Sequence, residues 1–414
     1  MNGPEAERWL LSLELFGMRF GLDRMRRLMT ALEHPERRFD SIHVVGTNGK
    51  SSTTRMIAAI LAHHGLRTGA YLSPHLVSFG ERIRIGNRDL SGDEFGAALT
   101  RAAHAAELVD RSLEPGDRVT QFEALTAAAY SELARRGVQA AVIEAGLGGR
   151  WDATNVIPSK VQGLTSVGLE HTRGLGPTLA DIAGEKLDVV RPGATLVLGT
   201  GLDPAVLEVA GRVAGERGAT IVHADADPGV EVGAAGTFQR RNFALARAAA
   251  LAYLGDGLDQ TAVAAAAAEV RIPGRLQQID SEPLTLIDGA HNPDGMRALA
   301  ESLPDLVAGH DRVVAVVSVL DDKDAASMLA TLLPVCDALV LTSSQNPRAL
   351  PPPTLQSLSR QLHGPPGEVV ADPREALSHA RELAGPGGVV IATGSLYLIA
   401  DLLAGGRRER ASML

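Results

Sequence analysis

The chain has 414 residues, 45% hydrophobic and 21% charged, which is enough for two or three domains with large cores and too well mixed for disorder. A net charge of −9 argues against a large electrostatic footprint for nucleic acid. The single cysteine, Cys336, excludes an internal disulfide and a cysteine zinc cluster, no apolar run reaches membrane-helix length, and the charged segment Met1–Leu13 lacks a signal-peptide layout, so a cytoplasmic protein is expected.

Along the chain, short apolar runs alternate with helical stretches. Ile42–Val45 predicts a strand, a glycine-containing loop follows, and 51–64 predicts a helix. Gln139–Ile143, Val161–Val167 and Thr195–Leu198 predict further strands, and the alanine-rich stretch 243–270 predicts helices. Continuous apolar strands separated by helices imply an α/β fold with a mainly parallel sheet covered on both faces. Ile272-Pro273-Gly274-Arg275 interrupts the helical pattern, and a smaller α/β unit is expected beyond it. Its strands are predicted at Leu284–Ile287, Arg312–Val319, Ala338–Leu341 and Gly388–Ala392, with a proline-rich loop at Gln345–Thr354. The expected organisation is a first unit over 1–272, a linker over 273–283 and a second unit over 284–414. The tail Arg407–Leu414 reads as frayed.

Of 40 basic residues only four are lysine: Lys50, Lys160, Lys186 and Lys323. Lysines that persist against such an arginine bias mark places where arginine cannot substitute chemically, or survive by chance. Lys50 closes the strongest motif, Gly46-Thr47-Asn48-Gly49-Lys50-Ser51-Ser52, between a strand and a helix. Glycines there let backbone N–H groups approach an anion, the helix N-terminus adds positive charge, and Lys50 would reach outer phosphates. Val44 stands where the general phosphate-loop pattern has its first glycine, and the alternative is a turn that merely caps a helix.

Three further clusters follow strands. Glu144 ends an apolar run, where ligands bind in open α/β sheets, and is a candidate magnesium ligand or a capping glutamate. Glu170-His171 follows the next strand; His171 is a metal ligand or a structural histidine, and Lys186 a functional lysine or an exposed helix residue. Asp288-Gly289-Ala290-His291-Asn292-Pro293 follows the first strand of the second unit and reads as site residues or as a turn into a helix.

Taken together, GTNGK at 46–50, Tyr71–Leu76, Glu81–Ile85, Gly146–Asn155, Glu185-Lys186, Pro273–Arg275 and Asp288–Pro293 resemble the folylpolyglutamate synthase/dihydrofolate synthase family of the Mur ligase group. The resemblance runs from about Leu15 to Leu403. It implies a P-loop-type ATPase domain followed by a smaller Rossmann-like domain. It also implies an ATP-dependent ligase that joins L-glutamate to a folate or to dihydropteroate through an acyl phosphate. Carried over residue by residue, Gly46, Thr47, Asn48, Gly49, Lys50, Ser51, Ser52, Asn242, Arg275 and Asp288 would hold ATP. Ser73, Glu144 and His171 match the magnesium ligands, and Lys186 matches a lysine carbamylated by CO₂, whose anion supports a second magnesium. Thr120, Gln121, Phe122, Glu123, Trp151, Asp152 and Ala153 match segments on the pterin side. His291 is expected beside the phosphates, a catalytic candidate with Lys50 and Lys186.

Six positions at four sites depart from the family's usual residues: Ser51-Ser52 for Gly-Thr, Glu170 for Asp, Leu187-Asp188 for Ala-Gly, and Trp151 for Leu. The resemblance implies small-molecule substrates only, with no nucleic acid and no membrane, and a monomer is the default. The alternatives are another Mur-type amino-acid ligase and a non-catalytic nucleotide-binding protein of the same fold. The first is disfavoured because only about 40 residues precede the phosphate loop.

Overall fold

The computed structural model describes residues 1–14 and 21–404; the expected start of the resemblance at Leu15 and the tail Arg407–Leu414 lie outside the described residues. The first sheet is built from β1 (Asp40–Val45), β2 (Thr68–Tyr71), β3 (Ile83–Ile85), β4 (Arg88–Asp89), β5 (Ala140–Glu144), β6 (Val161–Leu164), β7 (Thr195–Leu198) and β8 (Thr220–His223). Their order is β4-β3-β2-β5-β1-β6-β7-β8. Pairing is parallel except where β3 meets β2 and β4. β1 lies between β5 and β6, in parallel register with both. Three neighbouring strands therefore deliver their following loops to one edge, the usual place for a ligand in an open α/β sheet.

Both faces are covered. Helices 92–110 and 121–135 pack on one side with Tyr71, Tyr130 and Phe95 in the core. Helices 50–63, 237–254 and 260–269 pack on the other, where Ile57 and Ile60 meet Phe243. Double coverage explains why the central residues of β1 and β5 are buried on both faces and do not alternate apolar with exposed polar.

The second sheet contains β9 (Gln277–Ser281), β10 (Leu284–Ile287), β11 (Val313–Val317), β12 (Ala338–Leu341), β13 (Gly367–Val369) and β14 (Val389–Thr393), ordered β13-β12-β11-β14-β10-β9. The interval 273–283, expected as a linker, instead holds β9, which pairs antiparallel with β10. Its sequence, Gln-Gln-Ile-Asp-Ser, is polar because it is an exposed edge strand with only one neighbour, so no apolar run announces it. The predicted strand 161–167 ends at Leu164, and the residues after it turn to hold the phosphate loop. The same polarity hides β8 and β13, both at sheet edges. No helix among the described residues is long and apolar enough to cross a membrane.

Phe243 is fully buried against the helix that opens at Lys50. Phe243→Ala should cost about 3–5 kcal/mol of stability in denaturant unfolding, and a loss below about 1 kcal/mol would contradict this packing.

Candidate functional site

β1 ends at Val45, and the chain turns at once through Gly46 into the loop that begins the helix at Lys50. Val44 is therefore strand and not loop, and the loop is shorter than the general pattern requires. Two glycines are dictated by space. A Cβ on Gly46 would sit 1.9 Å from Thr165 Oγ1, and one on Gly49, at φ +86, would sit 2.5 Å from Asn242 Oδ1. The segment after β6 clamps the loop from beside it. Thr165 Oγ1 donates to Asn48 O at 2.7 Å, Asn48 N donates to Ser166 Oγ at 2.9 Å, and Gly168 N donates to Thr47 Oγ1 at 3.0 Å. Lys50 Nζ curls back to the carbonyls of Gly46 and Thr47, at 3.1 and 3.2 Å.

Beneath the loop's edge lies Glu144, the buried last residue of β5. It accepts from Ser51 Oγ at 2.8 Å and from Ser73 N at 3.1 Å. Burial pushes its carboxyl up to about 7, although Lys50 pulls the other way. Lys186 is buried, and its Nζ donates to Gly46 O at 2.9 Å. Burial, assisted by the charge of Lys50, lowers its amine to about 7. Lys186 thus reaches the loop from underneath and does not itself line the cavity.

The second sheet closes the site from above. Asn292 caps the helix 293–307 and exchanges two hydrogen bonds with Asn48, at 3.1 and 3.0 Å. Glu170 accepts from Lys323 Nζ at 2.8 Å, with both side chains 13–14% exposed, and from Asn292 Nδ2 at 3.3 Å. Burial opposes its ionisation, but His291 and Lys323 outweigh it and hold the carboxyl at about 2. His291 Nδ1 donates to Gly289 O at 2.8 Å, since a carbonyl only accepts; burial keeps the ring neutral, so Nε2 carries a free lone pair. Asp288 is buried and receives Leu276 N and Ala290 N at 2.9 and 2.8 Å, which fixes the turn around Arg275.

Between the sheets lies one cavity of about 600 Å³. It brings together Thr47 to Ser52, Ser73, Thr120, Phe122, Glu123, Glu144, Trp151 to Ala153, His171, Asn242, Arg275, Asp288 and His291. Of the expected residues, Gly46, Gln121 and Lys186 are off its wall. Gln121 is a correction: its side chain is turned into the core and donates to Leu10 O at 3.1 Å, because it is the first residue of a helix packed against 3–12. Sequence reading passed over Lys323, Arg24, Phe238, Arg241, Arg348 and Ser395, all on the wall. For Lys323 the rarity of lysine was a usable signal; the others sit in no motif.

No group of three or more His, Cys, Asp or Glu among the described residues is arranged to hold a metal. A zinc-type cage is therefore not formed here. The surroundings of Glu144 fit magnesium instead, which takes one or two carboxylates, hydroxyls, waters and the phosphates of a substrate. Glu144, Ser51 and Ser73 supply such oxygens beside Lys50. His171 is about half exposed, on a left-handed turn, with Nε2 3.9 Å from Glu170.

Residues 274–396 match the family described as Mur ligase, glutamate ligase domain. The dihydrofolate synthase/folylpolyglutamate synthase of Mycobacterium tuberculosis is 36% identical over 83% of this chain and 78% of its own length. A structure of the Mycobacterium tuberculosis folylpolyglutamate synthase complexed with ADP superposes with a TM-score of 0.89 and 33% identity, covering 99% of both chains. An FPGS–AMPPCP–folate complex superposes at 0.85 and 30% identity, over 98% of this chain and 99% of that one. The similarity runs along nearly the whole chain, and the chain belongs to the dihydrofolate synthase/folylpolyglutamate synthase family, ATP-dependent ligases of the Mur type.

Proposed function

We propose that this chain adds L-glutamate to a folate, to dihydropteroate, or to both, and that the cavity between its sheets is where ATP, the pteridine carboxylate and glutamate meet. The observation that carries the reading is the single cavity walled by the phosphate loop, the 146–155 loop and the 288–292 loop. The relatives solved with ADP, and with AMPPCP and folate, support it.

The phosphate loop's N–H groups and Lys50 hold the triphosphate, with Asn242, Arg275 and Asp288 on the nucleotide side. Phe122, Asp152 and Trp151 face the pteridine side. A substrate carboxylate oxygen attacks the γ-phosphorus, the bond to ADP breaks, and an acyl phosphate forms. The amine of glutamate then attacks the acyl carbon, the carbon–oxygen bond to phosphate breaks, and an amide results. Nε2 of His291, with its free lone pair, accepts the proton that the amine loses. Phosphates concentrate negative charge, and the ammonium group of Lys50, on the cavity wall, offsets it. Magnesium held by Glu144, Ser73 and His171 would add charge neutralisation on the transferred phosphoryl group. Lys186 is proposed to carry a carbamate: an amine near 7 is substantially neutral at physiological pH, the form that reacts with CO₂, and guanidinium cannot replace it. A cytoplasmic monomer is part of this proposal.

Lys50→Ala should reduce turnover about 10³-fold while leaving the fold intact by circular dichroism. Lys186→Ala should be strongly impaired and partly rescued by a short carboxylic acid; full activity without rescue would sink the carbamate. The pH dependence of metal-assisted binding follows from Glu144. Its carboxyl near 7 is protonated and neutral below that pH, so ligating a cation there must displace a proton. Calorimetric affinity for ADP with Mg²⁺ should fall about tenfold per pH unit below 7 and level off above it. A flat profile from acid to neutral pH would remove Glu144 from the metal site.

A further inference from the structure

His43 sits in the middle of β1, fully buried, three residues before the phosphate loop begins. A histidine in the centre of an apolar sheet is costly unless its polar atoms are used. Its Nε2 lies 2.9 Å from Thr154 Oγ1. Thr154, also fully buried, is in turn bonded through Oγ1 to Asp152 Oδ1. Asp152 accepts Thr154 N at 3.0 Å and Leu147 N at 2.8 Å, and it lines the cavity on the side of Phe122 and Trp151.

The directions of these bonds are determined by proton counting. Burial raises the Asp152 carboxyl above its ordinary value, but each of its oxygens already receives a backbone N–H, from Thr154 and Leu147, so Oδ1 acts as an acceptor and Thr154 spends its one hydroxyl proton on it. Its remaining lone pair must then accept from His43 Nε2–H. This fixes the neutral tautomer with hydrogen on Nε2 and leaves Nδ1 as a bare acceptor. Nδ1 has no hydrogen-bond partner among the described residues, so in that tautomer it is a buried, unsatisfied acceptor and the ring's only bond is the one to Thr154. Burial holds the ring at about 3, so it stays neutral at every working pH. Tyr130 adds a hydrogen bond at 3.0 Å to Thr154 O, which pins the same turn from the helix side.

We infer that His43, through Thr154, is a positioning residue that locks the Asp152 carboxylate toward the pteridine end of the cavity and ties that end to the strand carrying the phosphate loop. The inference rests on the reading that this wall receives the pteridine substrate. Neither His43 nor Thr154 touches the cavity, so both act through Asp152. A histidine here contributes what an apolar residue cannot, a donor that arrives from within the sheet and orients the hydroxyl in one sense.

The test is steady-state kinetics with the full chain, reading the pteridine KM, the ATP KM and kcat separately. Thr154→Val should raise the pteridine KM about tenfold to a hundredfold, the effect of losing a hydrogen bond to a charged group, with the ATP KM within about twofold. Thr154→Ser and His43→Gln, which keep a hydroxyl and a donor at the same reach, should stay close to the unaltered enzyme, and His43→Leu should follow Thr154→Val. Should His43→Leu fail to fold, the Val and Ser pair at 154 decides alone. Asp152→Ala is the companion measurement. If it raises the pteridine KM and Thr154→Val does not, the relay is wrong. If Asp152→Ala leaves that KM unchanged, the assignment of this wall to the pteridine fails, and the relay with it. Parallel loss of kcat and of ATP affinity in both Thr154 variants would mean a purely structural role and would also overturn the inference.

Discussion

Asn48 and Asn292 exchange two hydrogen bonds, one in each direction, across the boundary between the two sheets. Asn48 belongs to the phosphate loop, and Asn292 caps the first helix to leave the second sheet's loop. Everything else about the site depends on this register. Asn292 also donates to Glu170, and Glu170 binds Lys323, so the segment after β6, the phosphate loop and two loops of the second sheet share one polar network. Each partner is short or mostly buried, and so the network places groups with little freedom. An ion pair removed from water gains little net stability; here its consequence is geometric, since it sets the distance between Lys50 on one wall and His291 on the other.

The cavity so defined is electrostatically uneven before any substrate arrives. Lys50 and Lys186 approach the same carbonyl, that of Gly46, and burial, with the charge of Lys50 added, lowers the Lys186 amine. Glu144 lies desolvated close by, raised rather than lowered. One lysine ammonium, a second lysine amine lowered to about 7 and a desolvated carboxylate form an arrangement suited to anionic phosphates and a divalent cation, as an ATP-consuming ligase requires. On the opposite wall Asp288 is buried and His291 half-buried, and desolvation shifts both toward their neutral forms. On the proposed reading, one sheet would handle phosphate charge and the other the acceptor amine.

Much of this was legible in the residues. The β1 run, the loop from Gly46 to Lys50 and the acid at the end of β5 each obey strong local rules, and they fell on two adjacent strands. The first strand of the second sheet and its Asp288–Asn292 loop were readable for the same reason. What escaped was set by tertiary context. β9 is a polar edge strand with one partner, so its five residues carry no apolar signal. Gln121 matched a motif, but motif membership does not specify which way a side chain turns, and the helix packing against residues 3–12 turned it inward. Lys323 was conspicuous only by being a lysine, since its partner Glu170 is 153 residues away. His43 was hidden by an otherwise apolar strand, where a buried polar residue is recognisable only once its acceptor is known.

The central claim is that one cleft couples ATP cleavage to amide formation with glutamate. The direct measurement is phosphate release from ATP in the presence of Mg²⁺, with dihydropteroate in one reaction and tetrahydrofolate in another, each with and without L-glutamate. The account predicts release that requires glutamate in at least one of the two, and the pattern identifies which carboxylate the cleft accepts. Release that is indifferent to glutamate, or absent with both pteridines, would contradict it.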